Sequence, residues 1–263
     1  MDRFPRRRTP GRASASDPAR PARPARSHEG PAPVLVGAVA ALVLGLTVAF
    51  AASLTGPARW RDGERHGDWL AVFDGYGRTT ASQQDGALTV RLEPKAAAAP
   101  DVTHAGLVVT QADYSDLSLS VQVRTDEQLR VGPPNPWEVA WVLWRYSDPD
   151  HFYALALKPN GWELSKQDPA YPGKQRFLAT GSAPRFPVGE WHDLRVVHRG
   201  NVIRAYAGGR LLTTFTDSER PYLRGAVGLY CEDARVEFRD VAASPLPAVA
   251  AWRLDFQHEE REL

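Results

Sequence analysis

The sequence predicts an all-β domain, a sandwich or barrel, that follows one membrane-spanning helix and a disordered N-terminal tail. Two observations support the β domain: about a dozen short segments are rich in β-branched and aromatic residues, and no long stretch has helical periodicity. A third, an uncharged run of 21 residues near the N-terminus, predicts the helix. The 43% apolar and 24% charged residues are typical of a globular protein.

Residues 34–54 form the uncharged run. A helix of that length rises about 30 Å, which matches the hydrocarbon core of a bilayer. Residues 1–33 carry eight Arg against three acidic residues, a balance of +5. Because positive residues resist translocation, we expect a disordered cytoplasmic tail, a single-pass membrane anchor and an extracytoplasmic domain. The alternative is secretion after signal cleavage near Ala51, since Ala49-Phe50-Ala51 resembles a cleavage site.

Residues 55–67 are predicted to be a linker, and the strands follow it. The rest of the chain has a charge balance of −4, so no nucleic-acid surface is expected outside the tail. The lone Cys231 lies in a strand-like segment and is expected to be a buried, inert thiol. Strands are predicted at 69–73, 87–92, 106–110, 117–124, 138–146, 152–157, 162–166, 175–179, 191–198, 202–207, 210–215, 226–230 and 234–241.

Three dipeptides predict tight hairpins, because such turns need residues that accept a positive φ. In the central hairpin, the turn is expected to place Lys158 opposite Glu163. In the strand 117–124, strict alternation predicts that every second side chain faces inward. The dipeptides are Asp85-Gly86, Asn160-Gly161 and Gly208-Gly209.

Six parts of the sequence carry motifs of strands and turns that occur together in known proteins: 72–77, 141–145 with 161–163, 191–197, 203–212, 225–230 and 236–241. These segments resemble concanavalin-A-like (laminin-G-like) jelly rolls, and within them the 3-keto-disaccharide hydrolase domain, which is often labelled a family-16-like glycosidase. The resemblance covers nearly all of residues 68–242 and implies a two-sheet antiparallel jelly-roll sandwich over 68–243, followed by a C-terminal tail, 244–263.

The resemblance implies that the concave sheet binds a carbohydrate or cell-envelope glycan. The main hypothesis is a membrane-anchored, extracytoplasmic carbohydrate-recognition domain. The first alternative is a glycoside hydrolase or lyase that acts on a 3-keto-disaccharide or envelope glycan. The second is a non-catalytic scaffold that binds an envelope protein. The Glu-x-Asp-x-x-Glu strand of retaining family-16 glucanases is absent from the sequence, which disfavours their two-carboxylate chemistry.

Trp137 and Trp141 are candidate ligand-stacking residues, because the face of an indole ring suits the C–H face of a sugar. Alternation puts both on one face with Arg145, and this face is expected to be open, since an unpaired buried Arg is costly. The alternative is that these aromatic residues fill the core.

The charged candidates are Arg145, Lys158, Glu163 and Lys166, all predicted to bind ligand. If the domain is catalytic, Glu163 is the expected general acid or base, with Lys158 beside it and Arg145 stabilising negative charge. The alternative is a cross-strand Lys158–Glu163 pair of little energetic worth. No cofactor is predicted except a possible structural Ca²⁺, for which the resemblance implies Asp74 and Asp240.

Overall fold

The computed structural model describes residues 57–84, 87–99 and 101–247. Regular structure in these residues is almost entirely β, with one short 3₁₀ turn at Pro172–Lys174. The strands are β1 Ala58–Trp60, β2 Arg65–His66, β3 Trp69–Phe73, β4 Arg78–Gln84, β5 Ala87–Glu93, β6 Ala105–Tyr114, β7 Leu117–Gln128, β8 Ala140–Asp148, β9 His151–Lys158, β10 Gly161–Gln167, β11 Gln175–Gly181, β12 His192–Arg199, β13 Val202–Ala207, β14 Arg210–Thr216, β15 Gly225–Glu232 and β16 Ala234–Pro245.

The strands form two antiparallel sheets that pack face to face. The first sheet has the order β1-β4-β5-β16-β7-β12-β13-β14, and the second has the order β11-β10-β9-β8-β15-β6-β3-β2. The predicted all-β, two-sheet antiparallel sandwich is therefore confirmed.

The core lies between the sheets, and β7 illustrates how the sequence builds it. Leu117, Leu119, Val121 and Val123 are all buried, as the strict alternation of this segment predicts. Cys231 lies in the same core, and burial raises the pKa of its thiol, which agrees with the predicted inert residue.

Each predicted strand overlaps an observed one, but three observed strands are missing from the prediction. β1 and β2 lie in the predicted linker 55–67, so the linker prediction is wrong for residues 58–60 and 65–66. β4 has the polar sequence RTTASQQ, which lacks the apolar alternation of a half-buried strand.

Two of the three predicted hairpins are confirmed. The β9–β10 hairpin forms, but Gly161 pairs with Lys158 as the first residue of β10, so its two turn residues are Pro159 and Asn160 rather than the predicted Asn160 and Gly161. Gly208 and Gly209 form the β13–β14 turn as predicted, with φ values of 53° and 75°. The Asp85-Gly86 pair lies outside the described residues, as do the N-terminal tail, the predicted span 34–54 and most of the C-terminal tail. Within the described ranges, none of the helical structure is long and apolar enough to cross a bilayer.

His198 of β12 is completely buried in the core and gives the stability of the fold a distinct pH dependence. The indole Nε1 of Trp144 donates a hydrogen bond of 2.9 Å to its Nδ1. Burial, together with the positive charge of Arg145, lowers the pKa of His198 to about 3. The folded state therefore holds this imidazole neutral, whereas the unfolded chain protonates it near pH 6.5.

We expect the free energy of unfolding to fall as the pH drops below 6.5, because only the unfolded state takes up the proton. The contribution of the neutral His198 side chain to the free energy of unfolding is fully present above pH 6.5 and is lost progressively toward pH 3. The loss reaches about 2–3 kcal/mol by pH 4.5. Urea unfolding of the protein and of His198→Gln at pH 7.5 and pH 4.5 measures this loss. An unchanged pH dependence in the variant would contradict this assignment.

Candidate functional site

The outer face of the second sheet, where β8, β9, β10 and β11 adjoin, holds the predicted central residues. In β9 and β10, alternate residues point either into the core or outward. Leu155, Leu157, Trp162 and Leu164 belong to the core cluster, so the residues between them face outward: Ala154, Ala156, Glu163 and Ser165.

Glu163 accepts hydrogen bonds at both carboxylate oxygens. Lys158 Nζ donates to Oε2 at 2.8 Å, and Gln175 Nε2 donates to Oε1 at 3.0 Å. The predicted direct opposition of Lys158 and Glu163 is wrong, because Lys158 is opposite Gly161 and Glu163 is opposite Ala156. The two charges lie on the same face, as predicted, and form a diagonal ion pair.

Small residues surround this ion pair, and one large aromatic residue stands beside it. Ala154, Ala156 and Ser165 lie next to Glu163 and, like Glu163, are buried, with at most 4% of each exposed. Across the next strand pair, Ser165 is opposite Phe177, whose side chain is 60% exposed. We call the group Lys158, Glu163, Gln175 and Phe177 the Glu163 site.

The Glu163 site retains unused hydrogen-bonding capacity. Among the described residues, the Lys158 ammonium contacts only Glu163, which leaves two of its three N–H donors available. Gln175 uses its amide nitrogen on Glu163, and its side-chain carbonyl oxygen remains an acceptor. Donors and an acceptor beside an exposed aromatic ring match the hydroxyl and C–H groups of a sugar.

The two candidate tryptophans lie in the same region and play different roles. Trp141 is opposite Ala156 on the outer face, but only 3% of it is exposed. Its Nε1 donates to the backbone carbonyl of Trp137 at 2.7 Å, and its ring meets Tyr230 edge-on at 6.2 Å. Trp137 is 39% exposed, so it is the member of the pair that solvent or a ligand reaches.

A buried charge network holds the connection that carries Trp137. Glu138 is fully buried, pairs with Arg130, and accepts a hydrogen bond of 2.8 Å from the Asn135 amide. Arg130 also donates to Asp233 at 2.6 Å. Burial, with the negative charge of Glu138, raises the pKa of the Asp233 carboxyl. The network fixes Trp137 beside the sheet.

The prediction that Arg145 faces the groove is wrong. A bulge follows Trp144, where Arg145 has a φ of 49°, and the alternation is lost. Arg145 therefore points inward, is 1% exposed, and donates to the backbone carbonyls of Ser115 and Gly200. These carbonyls compensate the buried charge, so the guanidinium is buried without being left unpaired.

The prediction that Lys166 binds ligand is also wrong. Lys166 lies on the core side of β10 and is completely buried. Its ammonium donates to Asp217 at 2.8 Å and to the carbonyls of Glu219 and Arg220 at 2.7 Å. Strand alternation separates it from Glu163, because residues three apart in a strand face opposite ways.

The predicted Ca²⁺ residues lie in different parts of the fold and next to different arginines. Asp74 follows β3 and approaches Arg59 at 3.5 Å, whereas Asp240 lies in β16, 3.9 Å from Arg239. Across the part of the chain that the structure describes, no group of three or more His, Cys, Asp or Glu side chains could hold a metal ion. A structural Ca²⁺ therefore stays a prediction.

Glu232 is a second carboxylate on the outer face of this sheet, where Tyr230 donates to it at 2.8 Å. It lies on β15, three strands from Glu163 on β10. Three strand spacings put their backbones about 14 Å apart. A retaining glycosidase needs its two carboxyl groups about 5 Å apart, so these two residues do not form such a pair.

Comparisons with known proteins agree with this architecture. A family model described as a 3-keto-alpha-glucoside-1,2-lyase-like domain matches residues 53–243. The carbohydrate-binding module CBM66 from Bacillus subtilis is similar in structure, with a TM-score of 0.50 and 15% identity over 67% of this chain and 95% of that chain. A β-glucanase from Bacillus licheniformis has a TM-score of 0.45 and 10% identity over 74% of this chain and 100% of that chain. No curated protein matches the chain.

Proposed function

Because the chain belongs to the 3-keto-alpha-glucoside-1,2-lyase-like domain family, we propose that it is a carbohydrate-recognition domain that binds its glycan at the Glu163 site. The observation that carries this proposal is the Lys158–Glu163–Gln175 arrangement beside the exposed ring of Phe177. Glu163 holds the Lys158 and Gln175 side chains in place, which lowers the entropy lost when they bind hydroxyl groups. Phe177 supplies a surface for the C–H face of a sugar ring.

Recognition explains the geometry better than hydrolysis does. Both oxygens of Glu163 already accept hydrogen bonds. Arg145, the expected stabiliser of negative charge, is bonded to carbonyls inside the fold. Glu232 is too far away to complete a retaining carboxylate pair.

Lys158→Met is expected to weaken glycan binding about 10- to 100-fold, because hydrogen bonds from a charged donor contribute about 1.5–3 kcal/mol. Phe177→Ala is expected to weaken it as well, and its exposure leaves the fold unaffected. The measurement is binding of the full chain in detergent micelles to a glycan array.

The matched control is Lys174→Met, the same substitution in an exposed ion pair with Asp150. It should bind like the unmodified protein. Binding that survives both Lys158→Met and Phe177→Ala would refute the site. Absence of binding to every glycan, with co-purification of one envelope protein, would favour the scaffold alternative.

The family match favours lyase activity as a second candidate function. In 1,2-elimination from a 3-keto glucoside, a base removes the C2 proton, which the adjacent keto group acidifies. A C1=C2 double bond forms as the C1–O bond breaks, and the departing oxygen takes up a proton from solvent. Glu163 would be the base, with the Lys158 ammonium next to the negative charge that develops. Turnover of a 3-keto glucoside that is lost in Glu163→Gln would establish this activity. Glycan binding without turnover would support a recognition function without catalysis.

The membrane tether is a further part of the proposal. The predicted span ends at residue 54 and β1 begins at Ala58, so residues 55–57 separate them. A run of 21 uncharged residues is long enough to cross a bilayer and would tether the domain to its membrane. Carbonate extraction of membranes should leave the protein in the pellet. Its release into the soluble fraction, cleaved near Ala51, would contradict the tether.

A further inference from the structure

A cavity of about 420 Å³ opens on the outer face of the first sheet, on the opposite side of the sandwich from the Glu163 site. Its volume lies within the range of about 300–1,000 Å³ that is typical of ligand pockets. The walls come from β7, β12, β13 and β16 and from the β13–β14 turn. The polar residues that line it are Ser120, Gln122, Asp193, Arg195, Tyr206 and Asp240.

Two β-bulges flank this cavity and interrupt the flat surface of the sheet. In β16 the register with β7 shifts after Arg239, and Asp240 adopts a φ of 53°, which is uncommon for a residue other than glycine. In β13 the register with β14 shifts between Ala205 and Tyr206. Bulges change the direction of side chains and are frequent next to functional sites.

Hydrogen bonds fix one wall of the cavity before any ligand arrives. Arg239 Nε donates to Gln122 Oε1 at 2.7 Å, and Gln122 Nε2 donates to Asp193 Oδ1 at 2.8 Å. These two hydrogen bonds hold the Asp193 carboxylate in one orientation and leave its second oxygen as an acceptor. A fixed acceptor loses little entropy on binding.

Arg195 supplies donors on the same wall. Its guanidinium lies 5.7 Å from the centre of the Tyr206 ring, and within the described residues it has no carboxylate partner. Five N–H groups are thus available beside an aromatic surface. Donors, a fixed carboxylate and an aromatic ring are close together in one concave site.

The charges of the lining select the class of ligand. Asp193 and Asp240 carry two negative charges, and Arg195 and Arg239, which lies 3.9 Å from Asp240, carry two positive charges. The balanced charges give an ionic ligand no net attraction, whereas the hydroxyls of a neutral sugar can donate to the carboxylates and accept from the Arg195 guanidinium. We propose that this cavity is a second saccharide-binding site, specific for a short neutral saccharide and independent of the Glu163 site.

The test measures saturation transfer by NMR from the full chain in detergent micelles to maltose, cellobiose and lactose. Each sugar is titrated to about 20 mM, which detects a millimolar Kd. The background is Lys158→Met, in which the Glu163 site is weakened. We expect transfer to at least one sugar to persist there and to fall at least tenfold when Arg195→Leu is added. The anionic digalacturonate should receive less transfer than that neutral sugar.

Three results would overturn the proposal. These are absence of transfer to all three sugars in the Lys158→Met background, transfer that Arg195→Leu leaves unchanged, and equal transfer to digalacturonate. Arg195 is an exposed side chain, so its replacement is not expected to unfold the domain. Arg195→Leu alone leaves the Glu163 site intact, so failure of either site is recognised separately.

Discussion

Arg145→Met is expected to lower the free energy of unfolding by at least about 3 kcal/mol, because three backbone carbonyls lose their donor at about 1–3 kcal/mol each. These carbonyls belong to Ser115, Gly200 and Tyr222, which lie in three separate connections between strands. One buried guanidinium therefore joins three connections that are far apart in sequence. Urea unfolding followed by tryptophan fluorescence measures the loss.

Arg210→Met is the matched control. Arg210 is exposed at the start of β14, and its replacement should change stability by no more than about 0.5 kcal/mol. A similar small effect in Arg145→Met would show that solvent replaces the guanidinium at these carbonyls without loss. Arg145→Lys should be intermediate, since an ammonium cannot reach all three acceptors in the same geometry.

Lys166→Met is expected to lower the free energy of unfolding by about 3–5 kcal/mol, because it leaves the carboxylate of Asp217 buried without its cation. Both side chains are completely buried and 2.8 Å apart. Burial acts to raise the pKa of Asp217, but the hydrogen bonds from Lys166 and Tyr153 lower it overall. The Asp217 carboxyl is therefore ionised in the folded protein at neutral pH.

A double-mutant cycle tests this account of the pair. Adding Asp217→Asn to Lys166→Met should recover stability, with a coupling energy of about 1–3 kcal/mol. Lys174→Met breaks an exposed ion pair and should cost less than about 1 kcal/mol. Additive effects of the two core substitutions would contradict the buried ion pair.

The strands follow from local sequence patterns, whereas the direction of particular side chains does not. Leu117 to Val123 alternate with their neighbours, and the alternation alone places them in the core. Arg145 breaks this rule because a bulge changes its direction, and no local pattern marks a bulge at a non-glycine residue. Lys166 could have been placed correctly, since its spacing from Glu163 already puts it on the opposite face.

The partners of Glu163 depend on a register that the sequence leaves open. Gln175 and Phe177 lie on β11, which residues 168–174 connect to β10. A connection of this length does not fix the pairing of two strands, unlike the two-residue turn that joins β9 to β10. The Lys158–Glu163 pair was therefore predictable, but Gln175 and Phe177 were not.

The central claim is that a glycan binds at the Glu163 site, and hydrogen exchange measured by mass spectrometry tests it most directly. The full chain in micelles is compared with and without the glycan that gives the strongest array signal. Peptides that cover residues 151–181 should exchange more slowly with the glycan, and Lys158→Met should abolish the difference. Unchanged exchange in those peptides while the glycan is bound, or the same protection in Lys158→Met, would contradict the claim.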